Sequence, residues 1–243
     1  EGRKPEDCAD FRRVLERNDI DVVVNGTPDH WHTLVNLGCA RAGKDVYAEK
    51  PLTLTIDEGR RLVEAVRKGG IVLQTGTQQR SSQRFRLACE LVRNQRIGKL
   101  RTADVWLPAG LREGPFKEAA VPSELNWDFW QGPAPFVDYV PERCHRTFRF
   151  WYEYSGGTMT DWGAHHIDIA QWALDKDGSG PVEVRAPRDW QTAKRGAQLV
   201  YADGTVLTHV RGKGVSFYGT EGEIHVNRGK FEFSRDAKNS RRR

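Results

Sequence analysis

The sequence predicts an α/β protein in two parts: a small parallel sheet crossed by helices, then an α+β region whose open sheet is mostly antiparallel. Three observations predict it. Apolar β-branched runs alternate with helical periodicity up to about residue 97, each run ends in a short polar or glycine-bearing loop, and beyond that point one helix is followed by closely spaced short strands. Strand–helix–strand alternation requires crossover connections between parallel strands, whereas strands in close succession pair as hairpins.

Taken in order, residues 10–18 read as a short helix and 20–25, with Ile20, Val22, Val23 and Val24, as a strand of buried parallel type. A helix over 32–42, stopped by Gly43, leads to a strand over 45–49 that Pro51 ends. Residues 55–68 form a helix with Leu62, Val63 and Val66 apolar, 71–75 a third strand, and 84–94 a helix with Leu87, Leu91 and Val92 apolar. Three strands are few for such a sheet. Residues 99–107 read as a strand, and 108–148 as a Pro-, Gly- and Trp-rich stretch of a length that usually serves function. A helix over 155–174 with a glycine-rich entry precedes short strands over 182–185, 198–201, 206–211, 215–218 and 224–226. The division expected is one domain over 1–97, a second over 98–230 and a basic tail over 231–243.

The 243 residues suffice for one or two domains with real cores, and 38% hydrophobic with 29% charged residues describes a soluble globular chain. No window approaches the ~18–20 apolar residues of a membrane span. Of the 38 basic and 33 acidic residues behind the net charge of +5, six and two lie between Lys230 and Arg243, leaving the rest nearly neutral. A basic tail is not a basic stripe, so no nucleic-acid partner is expected. Cys8, Cys39, Cys89 and Cys144 have no C-x-x-C spacing and read as separate buried thiols. The first residue is Glu1 rather than Met, so targeting is not judged; a cytoplasmic protein is expected, with periplasmic export as the alternative.

In open parallel sheets ligands bind beyond the carboxyl ends of the strands, here the loops 26–30, 49–51 and 76–79. Lys50 stands at such an end, restricted by Pro51, where its ammonium can face a substrate hydroxyl or a developing alkoxide. On that tripeptide alone a surface lysine is the simpler reading. In one continuous helix, Asp161, His165, Asp168 and Trp172 fall on one stripe, uniting a histidine with two acids as general acid–base catalysis requires. The plain alternative is a hydrogen-bonded histidine between domains. Neighbouring His165 and His166 diverge by ~100° around a helix, and neither they nor His30 with His32 complete a ligand shell, so no metal is expected. Trp127 and Trp130 fit two readings equally, a stacking platform for sugar rings or a satellite core under a long loop.

Together, Thr27-Pro28-Asp29-His30-Trp31-His32, Glu49-Lys50-Pro51 and Gly156-Gly157 through Asp161, Gly163, His165 and Asp168 resemble the Gfo/Idh/MocA oxidoreductases, from about residue 10 to 226. The order and separation of three motifs make the resemblance more specific than any one of them. It implies a Rossmann-type domain for NAD or NADP and a C-terminal α/β domain whose open sheet builds a homo-oligomer. It also implies that Lys50 is the catalytic lysine, His165 the acid–base group, and Asp161 its neighbour that binds substrate. Thr27, Pro28, His32, Glu49 and Lys50 then lie near the cofactor, and Trp127, Trp130, Asp161, His165 and His166 near a sugar or polyol. The implied chemistry is hydride exchange with a carbinol carbon, His165 taking the hydroxyl proton while Lys50 steadies the alkoxide. The resemblance places a first strand and a G-x-G-x-x-G turn ahead of Glu1, so the chain is expected to be a fragment or to have a miscalled start, with the first βαβ units missing. Two other readings remain at this level: a glycoside-processing enzyme that retains NAD through a redox-neutral cycle, and a catalytically silent sugar-binding scaffold.

Overall fold

A short helix α1 (Phe11–Leu15), capped by the Asp10 carboxylate accepting from Arg12 N at 2.9 Å, precedes the first strand in the computed structural model, which describes residues 5–110 and 114–235. There follow β1 (Val22–Asn25), α2 (Asp29–Arg41), β2 (Asp45–Ala48), α3 (Ile56–Gly69) and β3 (Leu73–Thr75). The three strands form a parallel sheet in the order β1-β2-β3, with Asn25 opposite Ala48 and Ala48 opposite Thr75, so their carboxyl ends align. Helix α2 starts three residues before its sequence expectation because Pro28, at φ −60°, already points the chain into it. Helix α3 starts on a capping box, the Thr55 hydroxyl accepting from Glu58 N while the Glu58 carboxylate accepts from Thr55 N at 2.9 Å.

Val23, Val46, Ala48 and Leu73 pack with Val35 and Cys39 of α2 into one core. Strand side chains alternate between faces, and Val22 and Val24, at 57% and 73% exposure, lie on the other one. The expectation of a β1 strand buried on both faces is therefore corrected: among the described residues only one face is covered.

Helix α4 (Gln83–Arg93) and β4 (Leu100–Trp106) come next; the irregular stretch then contains α5 (Trp127–Gln131) and two 3₁₀ turns, Pro141–Arg143 and His145–Phe150. The expected helix over 155–174 is two helices, α6 (Gly157–Asp161) and α7 (Gly163–Ala173), interrupted at Trp162 before a glycine of weak helix propensity. Asp161 thus does not share a helix stripe with His165 and Asp168. Strands β5 (Glu183–Arg185), β6 (Gln198–Val200), β7 (Val206–Val210), β8 (Val215–Gly219), β9 (Glu223–Val226) and β10 (Phe231–Ser234) join β4 in a seven-stranded sheet of order β10-β9-β8-β4-β7-β6-β5. All its pairs are antiparallel except β4 with β7.

The chain parts into two compact units, Glu1–Gly76 with Gly110–Asp161 and Thr77–Ala109 with Trp162–Arg243. A division at 97/98 is not what is seen: α4 already belongs to the second unit, where Phe85, Ala88, Cys89 and Val92 share a core with Ile169, Ala170, Phe217 and Ile224. Residues 231–234 are a strand rather than the start of a tail, and the basic run from Lys238 to Arg243 lies outside the described residues. No helix among the described residues is long and apolar enough to cross a membrane.

Candidate active site

In the first unit the loops after β1 and β2 are organised by buried polar side chains. The Asn25 amide donates to Asn36 Oδ1 at 2.8 Å, and its carbonyl accepts from the Thr27 hydroxyl at 2.8 Å. His32, 1% exposed, bridges the loops: its Nδ1 lies 2.6 Å from the Pro51 carbonyl oxygen and its Nε2 2.7 Å from the Thr27 carbonyl oxygen. His32 therefore supports these loops rather than reaching a ligand, while Thr27, Pro28 and Glu49 remain half-buried at their edge.

Lys50, whose peptide bond to Pro51 is cis, meets Asp161. Its Nζ donates to Asp161 Oδ1 at 2.5 Å and to the Asp161 carbonyl at 3.1 Å, with side-chain exposures of 10% and 18%. Arg149 Nε stands 3.5 Å from the same carboxylate oxygen, so Asp161 faces two cations. Asp161 is delivered by a tight turn: Gly156 N donates to the Thr160 hydroxyl at 3.1 Å, and a Cβ on Gly156 would lie 2.4 Å from Thr160 Cγ2. Ser155, at the start of this turn, donates from its hydroxyl to Asp29 Oδ2 at 2.5 Å. Burial pushes the Asp29 carboxyl upward, against the Ser155 hydrogen bond and the charges of His32, Arg149 and Lys50.

Trp127 is 5% exposed and its indole N–H donates to the Val137 carbonyl at 2.9 Å. Trp130 is enclosed by Trp127, His30, Phe148 and Tyr154. Trp127 is buried and Trp130 half-buried in the core under the long loop, the arrangement of the satellite-core reading.

In the second unit, α7 carries His165, 5% exposed, with its carbonyl accepting from Gln79 Nε2 at 3.3 Å; Arg228 Nε donates to Gln79 Oε1 at 3.1 Å. His166 is 2% exposed, donates from Nδ1 to the Trp106 carbonyl at 2.7 Å and packs on Trp162; burial holds its ring below the usual histidine range. It is a core residue, not a substrate ligand. Asp168 is taken up by the Arg80 guanidinium in a two-pronged pair at 2.7 and 2.8 Å, and Arg80 also reaches Asp177. No group of three or more His, Cys, Asp or Glu able to hold a metal gathers among the described residues.

Two oxidoreductase family models match the chain, the NAD-binding Rossmann fold over residues 4–77 and the C-terminal alpha/beta domain over residues 106–226. The chain belongs to the Gfo/Idh/MocA oxidoreductase family. Among Gfo/Idh/MocA-like relatives, the myo-inositol 2-dehydrogenase of Thermotoga maritima is 32% identical over 198 residues, 82% of this chain and 43% of that protein. Glycosyl hydrolase family 109 protein 1 of Shewanella sp. (strain ANA-3) is 28% identical over 122 residues, 48% of this chain and 22% of its own. The WlbA dehydrogenase of Bordetella pertussis, solved with NADH and UDP-GlcNAcA, shares the fold at a TM-score of 0.64 and 20% identity, covering 93% of this chain and 63% of that one. The chain spans about half the length of the curated relatives it matches.

Sequence reasoning about this Gfo/Idh/MocA chain missed Asp29, Arg149 and Ser155 as neighbours of the Lys50 site. Asp29 stood inside a motif already singled out, and Ser155 directly before the paired glycines, but Arg149 had no local signal because its partner is defined only by the folded loop.

Proposed function

We propose that the whole protein is an NAD(P)-dependent oxidoreductase acting on a sugar or polyol, with Lys50, Asp161 and His165 as its reactive side chains. The observation that carries this reading is the mostly buried contact of Lys50 Nζ with Asp161 Oδ1 at 2.5 Å, joining residues 111 positions apart. The family model matched over residues 4–77, an NAD-binding Rossmann fold, supports a nicotinamide cofactor. The fit of the cofactor is supported by the aligned carboxyl ends of β1, β2 and β3, where Thr27, Glu49 and Lys50 offer a hydroxyl, a carboxylate and an ammonium to its nicotinamide half. No G-x-G-x-x-G turn occurs in the 243 residues, so the seat of the pyrophosphate is not assigned to any of them.

When bound, a nicotinamide ring supplies or accepts the hydride. Lys50 holds its ammonium against the substrate oxygen and stabilises the negative charge that grows there as the proton leaves. Asp161 fixes the direction of that ammonium and accepts from a second substrate hydroxyl. His165, marked by the motif shared with the family, takes up the hydroxyl proton. In the full-length protein, Lys50→Met and His165→Ala are expected to lower turnover of NAD with polyols by orders of magnitude, His165→Ala with cofactor affinity near wild type. Wild-type turnover in both variants would remove the assignment.

The similarity to a family 109 glycosyl hydrolase supports a second reading, redox-neutral glycoside cleavage with retained cofactor. Glycoside hydrolysis without added NAD distinguishes it from net oxidation, which accumulates NADH in solution. Self-association through the face of the seven-stranded sheet that carries the half-buried Asp104, Ser216, Tyr218 and His225 is part of the proposal and is read by light scattering.

A further inference from the structure

Lys50 and Asp161 come from loops 111 residues apart, and each loop is tied to one place, the first turn of α2. Asp29 and His32 stand three residues apart, a spacing that puts both side chains on one face of a helix. His32 holds the carbonyl of Pro51, the residue that follows Lys50, and links it to the Thr27 carbonyl. Asp29 holds the Ser155 hydroxyl, and the Gly156–Thr160 hydrogen bond closes the turn that leads from Ser155 to Asp161. Three of the four anchoring residues are buried, Asp29, His32 and Ser155 being at most 3% exposed, and Thr27 is half-buried.

We propose that Asp29 and His32 form a bracket that sets the distance between the Lys50 ammonium and the Asp161 carboxylate, Asp29 and Ser155 acting as positioning residues for the carboxylate and His32 for the ammonium. The proposal deepens, and rests on, the reading of Lys50 and Asp161 as the reactive pair. A charged hydrogen-bonded pair needs its partners held within a few tenths of an ångström, and Lys50 has four flexible bonds. The bracket restricts the backbones on both sides, so little conformational freedom remains to be lost when a substrate hydroxyl arrives.

The test is competitive acetylation of the full chain with trace acetic anhydride, without cofactor or substrate, reading Lys50 against Lys44 by mass spectrometry. Lys44 is an internal control in the same unit: it is 6% exposed, and its Nζ is held by the Arg17 and Ile20 carbonyls at 2.6 and 2.8 Å, away from the bracket. Ser155→Ala and His32→Ala are each expected to raise Lys50 labelling relative to Lys44 by roughly fivefold, the equilibrium effect of one lost hydrogen bond. Asp29→Asn keeps an acceptor for Ser155 and should stay within about twofold of wild type, whereas Asp29→Ala should behave as Ser155→Ala does. Unchanged Lys50 labelling in Ser155→Ala, or a parallel rise at Lys44, overturns the bracket. The dehydrogenase reading fails separately, through wild-type turnover of Lys50→Met, because labelling requires neither hydride acceptor nor sugar.

Discussion

Asp29 is a carboxyl group 3% exposed, one hydrogen bond from Ser155 and in the field of Arg149 and Lys50, and burial still prevails in raising its proton affinity. A raised folded-state value means the folded chain holds this proton more firmly than the unfolded one. The resulting stability is complete below the ordinary value of 3.8 and is lost as pH rises through the folded value. Asp29→Asn removes the titration while preserving the acceptor, so wild type is expected to lose stability relative to the variant from about pH 4 upward. Urea denaturation of both proteins across that range checks it; a difference independent of pH would mean that burial does not govern this group. Asp161 matters through its partners. Its carboxylate stands between Lys50 and Arg149, and Asp161→Asn would strand both cations, so on the proposed function turnover by the full-length protein should fall at least tenfold even where the fold persists.

At the scale of elements, the irregular stretch after β4 is held by aromatic packing rather than by regular hydrogen bonding. Trp31 of α2 lies over Gly132 at the end of α5 so closely that a Cβ there would stand 2.1 Å from Cζ2, and the glycine has φ +50°. Gly132→Ala should therefore cost about 1–3 kcal/mol through overpacking, measured by chemical denaturation. The Trp130 carbonyl accepts from His30 Nε2 at 2.9 Å and Trp31 Nε1 at 3.0 Å, which ties α5 to the same turn of α2 that carries Asp29 and His32. One short helical segment thereby anchors three loops. Helix α7 serves the second unit in a similar way, with His166 under β4 and Asp168 clamped by Arg80.

For the molecule as a whole, burial lowers the proton affinity of His30, His166, His209 and His225. The unfolded chain binds protons at these rings near 6.5 while the folded chain resists them. Their stabilising contribution is therefore present above that value and lost as pH falls through the folded values, so the melting temperature should drop between about pH 7 and pH 5. His166→Gln retains a donor for the Trp106 carbonyl and should flatten part of that slope in a thermal melt followed at several pH values. An unchanged slope would exclude His166 as a contributor.

Local signals were enough to read the strand–helix–strand order, the Lys50 loop and the glycine-rich entry to Asp161, because propensity, periodicity and glycine geometry act over a few neighbouring residues. The same signals could not tell that 155–174 breaks at Trp162, that Trp127 and Trp130 turn inward, or that β1 leaves Val22 and Val24 uncovered. These outcomes depend on which distant surfaces are available for packing, and a local window does not contain them. The sequence by itself determined the chemical groups and the family motifs that present them. Only the tertiary structure decided which groups meet: Lys50 with Asp161 and Asp29 with Ser155 are pairs closed across more than a hundred residues, by contacts whose existence depends on the folded backbone between them.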